Sequence, residues 1–320
     1  MLKYALRRLW QTVPTTFGIL LLSFVLFNVV GGSPAETLLG KNATAESVAA
    51  FNRKYGYDKP LLIGSGGGLR GCFDSQFFGF LTSLAKGDLG YSIELNEPVA
   101  SVLKRGVGPS LSLTVPILFG GVALALMLAM LAAAMRGGWV DKGILLGSTL
   151  LMSVNYVVWV LAGQFFLSYK AGLFPVWGYR GVAYLLLPVA IGILSSLGTD
   201  VRFFRAAMLD EIYRPYVLTA RSKGLSRTTV LFRHVLPNAL IPIVTYVSLS
   251  IPYLFTGSLL LESFFGIPGL GSVSINAIHS SDMAVVRAVV VIGALLYQLV
   301  NLVTDLAYAA LDPRARIWSK

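Results

Sequence analysis

Charge is scarce in this chain. Of its 320 residues, 13% are Asp, Glu, Lys or Arg, where about a quarter is usual for a soluble domain. Two histidines and one cysteine complete the residues that most often hold metals or form cross-links. With Cys72 alone, an intrachain disulfide is excluded; the thiol is left as incidental or as half of an intermolecular bridge. Catalytic signatures are missing too. There is no His-Glu-x-x-His, no Gly-x-Ser-x-Gly and no carboxylate pair within an apolar run, so a membrane enzyme has no constellation to work with. The net charge of +11 comes without a long basic arm or a soluble binding module, which argues against nucleic acid as a partner.

Hydrophobicity is what the chain has. It is 55% hydrophobic, and its mean hydropathy is +0.72. Six apolar windows free of Asp, Glu, Lys and Arg read as spans: 9–35, 106–135, 143–169, 181–199, 234–261 and 288–304. A helix needs about 20 apolar residues to span a bilayer, and the short last window extends into mild sequence after Thr304. The runs are apolar on all sides rather than alternating, which excludes barrel strands. Lys3, Arg7 and Arg8 precede the first run as in a secretory signal. That run exceeds the roughly 7–15 residues of a signal core, and no clear small-x-small site follows, so it reads as a retained helix. The expected fold is an all-α membrane protein of about six transmembrane helices, with a small insert after the first.

Lysine and arginine near the span ends set orientation. Lys3, Arg7 and Arg8, the 136–142 turn with Arg136 and Lys142, the segment 200–233 and the tail with Arg314, Arg316 and Lys320 all fall on one side. That side should be the cytoplasm, with both termini in it, and the excess charge then meets anionic lipid. His234 and His279 fall on opposite sides and cannot share a metal. The spans carry no ionisable residue except Asp305 near one end, whereas ion-coupled carriers hold such groups at depth. With no energy source of its own, the chain is a channel, a structural subunit or a transporter powered by another protein.

The outer segment 31–105 is too long for a turn and reads as a folded insert. Thr44 can cap a helix carrying Val48, Phe51 and Tyr55 on one face, with Gly56 ending it. Phe77, Phe78, Leu81 and Leu84 cluster on a second helix, followed by a turn at Gly87–Gly90; such aromatics are core or interface anchors, or substrate contacts. "IGSGGGLRG" (63–71) is a flexible tip, not a phosphate loop, since no Gly-Lys-Ser/Thr follows. Ala125, Ala129 and Ala133, and Gly143 and Gly147, put small residues at four-residue spacing for close helix packing. Pro188, Pro242 and Pro252 interrupt spans four and five and make kinks possible. "ESFFGIPGLGSV" (262–273) cannot be one helix and reads as a re-entrant outer turn.

One stretch stands apart: "YVLTARSKGLSRTTVLFRHVLPNALIP", residues 216–242. Tyr213, Tyr216, Val217 and Ala220 fall at helical spacing, with Arg214, Arg221 and Lys223 away from them. Gly224 ends that helix, Ser226 can cap the next, Val230, Leu231 and Val235 continue it, and Pro237 marks entry to span five. Two short amphipathic helices result. On these grounds alone they either lie on lipid or dock to a soluble partner.

This stretch resembles the EAA signature of ATP-binding-cassette (ABC) importer permeases: Glu-Ala-Ala, three residues, Gly, nine residues, Ile-x-Leu-Pro. Here Leu218-Thr219-Ala220 stands for Glu-Ala-Ala, Gly224 for the glycine and His234-Val235-Leu236-Pro237 for the ending. Leu218 and His234 depart from the pattern, while Thr-Ala-Arg-x-Lys-Gly-Leu-Ser is the form of the dipeptide/oligopeptide branch. "LRRLWQTVPTTFGILLLSFVL", "KYGYDKPL", "LAKGDLGYS", "LLESFFGIPGLG" and "NLVTDLAYAALDPRAR" are similar to that branch as well, so the resemblance spans nearly the whole chain. The 63–75 insert departs from it.

The resemblance implies the type I ABC importer permease fold in a bacterial cytoplasmic (inner) membrane. It implies residues 1–30 as N-terminus and first helix, 31–105 as outer insert, 106–310 as the transmembrane domain with the coupling element at 211–237, and 311–320 as a tail. It implies a second homologous permease, one or two cytoplasmic ABC ATPases, an extracytoplasmic substrate-binding protein and lipid as partners, with ATP and Mg on the ATPases and no cofactor here. Di- or oligopeptides would be the cargo, with nickel chelates, glutathione or sugar-derived compounds as alternatives; a stand-alone channel or scaffold is the reading of another class. Tyr216, Thr219, Ala220, Arg221, Lys223, Gly224, Leu225, Leu236 and Pro237 would couple to the ATPase. Glu262, Pro268, Gly269 and Gly271 would form a gate or outer turn.

Overall fold

A computed structural model describes residues 2–30, 44–55, 57–62, 64, 73–92, 94–251, 254 and 258–311. Cys72, Pro252, nearly all of the glycine-rich tip and the tail 312–320 lie outside the described residues, as does the Asp305 side chain.

The described residues are overwhelmingly helical. In order they form α1 (Leu2–Val30), α2 (Ala45–Tyr55), α3 (Gln76–Ala85), a hairpin of β1 (Tyr91–Ser92) and β2 (Glu97–Pro98), α4 (Val99–Ala134) and α5 (Trp139–Ser153). Then come α6 (Tyr156–Lys170), α7 (Ala183–Ile212), α8 (Pro215–Ser222), α9 (Arg227–Ser248), α10 (Leu259–Phe265), α11 (Leu270–His279) and α12 (Met283–Leu311). Five helices are long and apolar enough to cross a membrane, and two bent pairs raise the number to as many as seven. The expected six windows map onto the five plus the first bent pair.

That pair corrects one expectation. Window 143–169 is not one straight span: α5 and α6 meet at 89°. Asn155 is the cause. Its side chain accepts the Val157 N–H at 2.9 Å, which caps a new helix instead of continuing the old one. The second pair, α10 and α11, turns by 82° around Gly266–Gly269, as the Pro-Gly sequence requires. Pro188 and Pro242 lie within α7 and α9 without ending either helix.

Contacts divide the chain into two units: residues 1–106 with 273–320, and residues 107–272. In the first unit α1 pairs with α12. Phe77 of α3 is buried against α1, its ring 5.2 Å from Phe24 and 5.6 Å from Phe17, so Phe77 is core, while Phe78, Leu81 and Leu84 are half-buried. Thr44 caps α2 through the Ser47 N–H, and Ser75 caps α3 through the Phe78 N–H. The hairpin is fastened to α12 where buried Ser92 donates to Asp282 at 2.5 Å.

In the second unit α5 packs along α7 and α9 packs along α7. Ala125, Ala129 and Ala133 are buried in one cluster with Leu197, Phe204, Val217, Val230 and Val235. The alanine row therefore does pack closely. Gly143 and Gly147 do not: a Cβ at either would meet nothing. The close approach is at Gly198, where a Cβ would stand 2.5 Å from the Ser148 carbonyl. A second correction concerns Asp200. The apolar window ends at 199, but α7 runs on to Ile212 and carries Asp200 with it. The carboxylate is buried and accepts the Tyr246 hydroxyl at 3.0 Å.

Candidate functional site

The basic element is built on α8 and the start of α9. Pro215 opens α8, where a missing N–H costs nothing. Val217 and Ala220 are buried in the alanine-lined core, and Val230, Leu231 and Val235 join them from α9. Tyr213 and Tyr216, expected on the same apolar face, are not fully buried, Tyr213 being largely exposed and Tyr216 about a third exposed (36%), and each has a polar task. Tyr213 lies under the Arg136 guanidinium at 4.7 Å. The Tyr216 hydroxyl donates to Glu211 Oε2 at 2.6 Å and reaches the His234 carbonyl at 3.4 Å. Burial, then the Glu211 carboxylate, pushes the Tyr216 phenol up to about 12, so it remains a donor.

Gly224 adopts φ +80°, a conformation that costs an L-residue roughly 1–2 kcal/mol. A Cβ there would meet nothing within 4 Å among the described residues. Ser226 then caps α9 by accepting the Thr229 N–H at 3.2 Å. The helix widens into a π-turn over Leu231–Val235, just ahead of Pro237, which has no N–H to donate to the Arg233 carbonyl. Asn238 Nδ2 donates to the His234 carbonyl at 2.7 Å.

The expected site residues fall into two roles. Ala220 is seated in the core, and Leu236 packs against it from the edge. Thr219 is exposed and turns its hydroxyl back to the Pro215 carbonyl. Arg221, Lys223, Leu225 and Pro237 project outward, beside exposed Leu218 and Phe232. Among the described residues no carboxylate pairs with Arg221, Lys223, Arg227 or Arg233; Arg214 alone approaches one, Glu211 at 3.8 Å.

The Pro-Gly turn is a separate site. Glu262 of α10 is fully buried and accepts from four donors. Ser110 of α4 donates its hydroxyl at 2.8 Å and Ser258 its N–H at 3.0 Å, while Gly271 and Ser272 give N–H groups at 2.6 and 3.1 Å. Ser110 in turn accepts the Leu270 N–H at 2.8 Å, so both ends of the turn close on one carboxylate. A Cβ on Gly269 would collide with the Glu262 carboxylate and the Ser110 hydroxyl, and one on Gly271 would sit 2.8 Å from the carboxylate. Pro268 is exposed at the tip. The turn packs into a different core, with Leu113, Val160, Leu187 and Phe265, from the one that seats α8.

Sequence reasoning missed Ser110, Asp141, Arg205 and Glu211. Asp141 and Arg205 form a forked ion pair at 2.6 and 2.7 Å. No local pattern points from Ser110 to a glutamate so far along the chain. The charges were legible only as topology.

Comparison with known proteins gives the chain a family. The model of the binding-protein-dependent transport system inner membrane component matches residues 121–317, and that of its N-terminal region matches residues 1–114. The glutathione transport system permease protein GsiC of Salmonella typhimurium is 31% identical over 317 residues, 99% of each chain. A probable peptide ABC transporter permease protein, y4tP of Sinorhizobium fredii, is 31% identical over 321 residues, covering 98% of this chain and 99% of its own. The fold accords with a type I ABC importer permease. Matched along its length in sequence, and helical with five to seven candidate spans, the chain belongs to the inner-membrane components of binding-protein-dependent transport and is an ABC importer permease of the peptide family.

Proposed function

We propose that this permease forms, with a second homologous permease, the path for di- or oligopeptides handed over by an extracytoplasmic binding protein. Glutathione, itself a modified tripeptide, is the second reading, favoured by the name of the Salmonella relative. Two cytoplasmic ATPases, carrying ATP and Mg, drive the cycle; this chain binds no cofactor and hydrolyses nothing. Both termini face the cytoplasm, as the Lys and Arg distribution favours.

The docking point is the α8–Gly224–α9 element: Tyr216, Thr219, Ala220, Arg221, Lys223, Gly224, Leu225, Leu236 and Pro237. One observation carries this. The element is seated by a buried apolar face, yet its tip offers unpaired cations and a glycine with open space in front of it. The Glu262 turn, with Pro268, Gly269 and Gly271, serves as a rigid element at the outer end of the path.

Gly224→Asp tests the docking point. A Cβ at this position meets no described residue, and the φ of +80° adds a strain of roughly 1–2 kcal/mol; membrane insertion is expected near the normal level with transport abolished. Normal transport by that variant, in cells with the whole importer, would remove the docking reading.

A further inference from the structure

We propose that Asp141 is a positioning residue for energy coupling: it fastens the turn between α4 and α5 to the part of α7 that leads into the docking helix. The proposal rests on the docking of the ATPase at α8.

The geometry is specific. Asp141, in the first turn of α5, is 3% exposed. Its Oδ1 accepts Arg205 Nε at 2.6 Å, and its Oδ2 accepts Arg205 Nη2 at 2.7 Å. The same Oδ2 accepts the Gly137 N–H at 2.9 Å, so the carboxylate holds the turn and the neighbouring helix together. A forked guanidinium–carboxylate pair fixes orientation as well as distance.

A second tie lies further along. Arg136, next to Gly137, covers the Tyr213 ring at 4.7 Å. Tyr213 is the C-cap of α7, and Arg214 is the N-cap of α8. Arg205 and Tyr213 are eight residues apart, about 12 Å along a helix. The turn is thus pinned at two points on the last turns of α7. Gly198 adds a third fastening, because its missing side chain lets α7 close on the Ser148 backbone of α5. Below the docking helix, Val217 and Ala220 share a core with Ala125, Ala129 and Ala133 of α4.

A buried ion pair is often no more stabilising than apolar residues of the same size. What the fork supplies is alignment. A push on α8 passes through Tyr213 and Arg205 into α5 and α4 only while these helices move as one body. Loosening the fork should let the ATPases run without moving the spans.

The test uses the complete importer in proteoliposomes, with Asp141→Asn, Arg205→Lys and the double swap Asp141→Arg/Arg205→Asp. Three quantities are measured: the amount of assembled complex, basal ATP hydrolysis, and the stimulation of hydrolysis by the liganded binding protein. Asp141→Asn and Arg205→Lys are expected to assemble and hydrolyse at the basal rate, while stimulation falls about tenfold. The swap should restore part of it. Unchanged stimulation in both single variants overturns the proposal. So does a loss of assembly in parallel with stimulation, which would make the pair a folding contact only. A wild-type complex without an ATPase would overturn the docking reading and this proposal with it.

Discussion

Gly224 and Glu262 illustrate two different demands on single residues. Gly224 is required by its backbone, since its φ is +80°, and under the proposed docking also by a partner that meets its open side, where a Cβ would touch no described residue. Asparagine tolerates this backbone region better than most residues. Gly224→Asn should therefore cost the isolated chain about 1 kcal/mol or less and still impair transport; thermal unfolding in detergent and uptake in cells measure the two. Glu262 is required by its own chain. Glu262→Leu leaves three backbone donors without an acceptor, at about 1–3 kcal/mol each. A sharp fall in unfolding temperature is expected, with Glu262→Gln intermediate and Gly269→Ala also destabilised by its clash with the carboxylate. A wild-type unfolding temperature for Glu262→Leu would mean that the turn does not depend on this cradle. Of these two sites, the glycine was legible in the sequence because a basic helix must stop somewhere. The cradle was legible only as a turn, because its hydroxyl comes from Ser110, far away in sequence.

At the scale of elements, apolar runs predicted helices well and predicted their ends poorly. Window 181–199 stops where charge begins, yet α7 continues to Ile212, because Leu197, Val201, Phe204 and Met208 keep one apolar stripe in the core past the first charges. The opposite error occurs in window 143–169, where composition stays apolar across a break of 89°. Asn155 was the available signal, and a hydropathy window is blind to a cap. Asn155→Ala is expected to remove the Val157 hydrogen bond and cost about 1 kcal/mol, read by thermal unfolding. No change would place the cause of the bend elsewhere. The basic element was read in part: the short helix α8, the glycine stop and the Ser226 cap follow from residue spacing, but the second short helix is not separate and runs on past Pro237 to Ser248 as α9. The π-turn before Pro237 was not, since a proline signals a disturbed helix without saying how the disturbance is absorbed.

For the whole molecule, the absence of ionisable clusters within the apolar runs was the first clue that work is done elsewhere. Asp200 qualifies that picture: it is the buried acidic group of α7 and is held by Tyr246. Nothing in the composition distinguishes a powered permease from a channel. The distinction comes from the family matched along the chain, and the proposed docking surface has Arg221, Lys223 and Leu225 projecting from a well-packed seat. Gentle purification of the chain from its native membrane, with photo-crosslinkers at residues 216–224 and mass spectrometry of the products, tests this directly. The account predicts a second permease and ATPase subunits in the complex, with the crosslinks falling on an ATPase. A chain that emerges alone, crosslinked only to lipid, would contradict it.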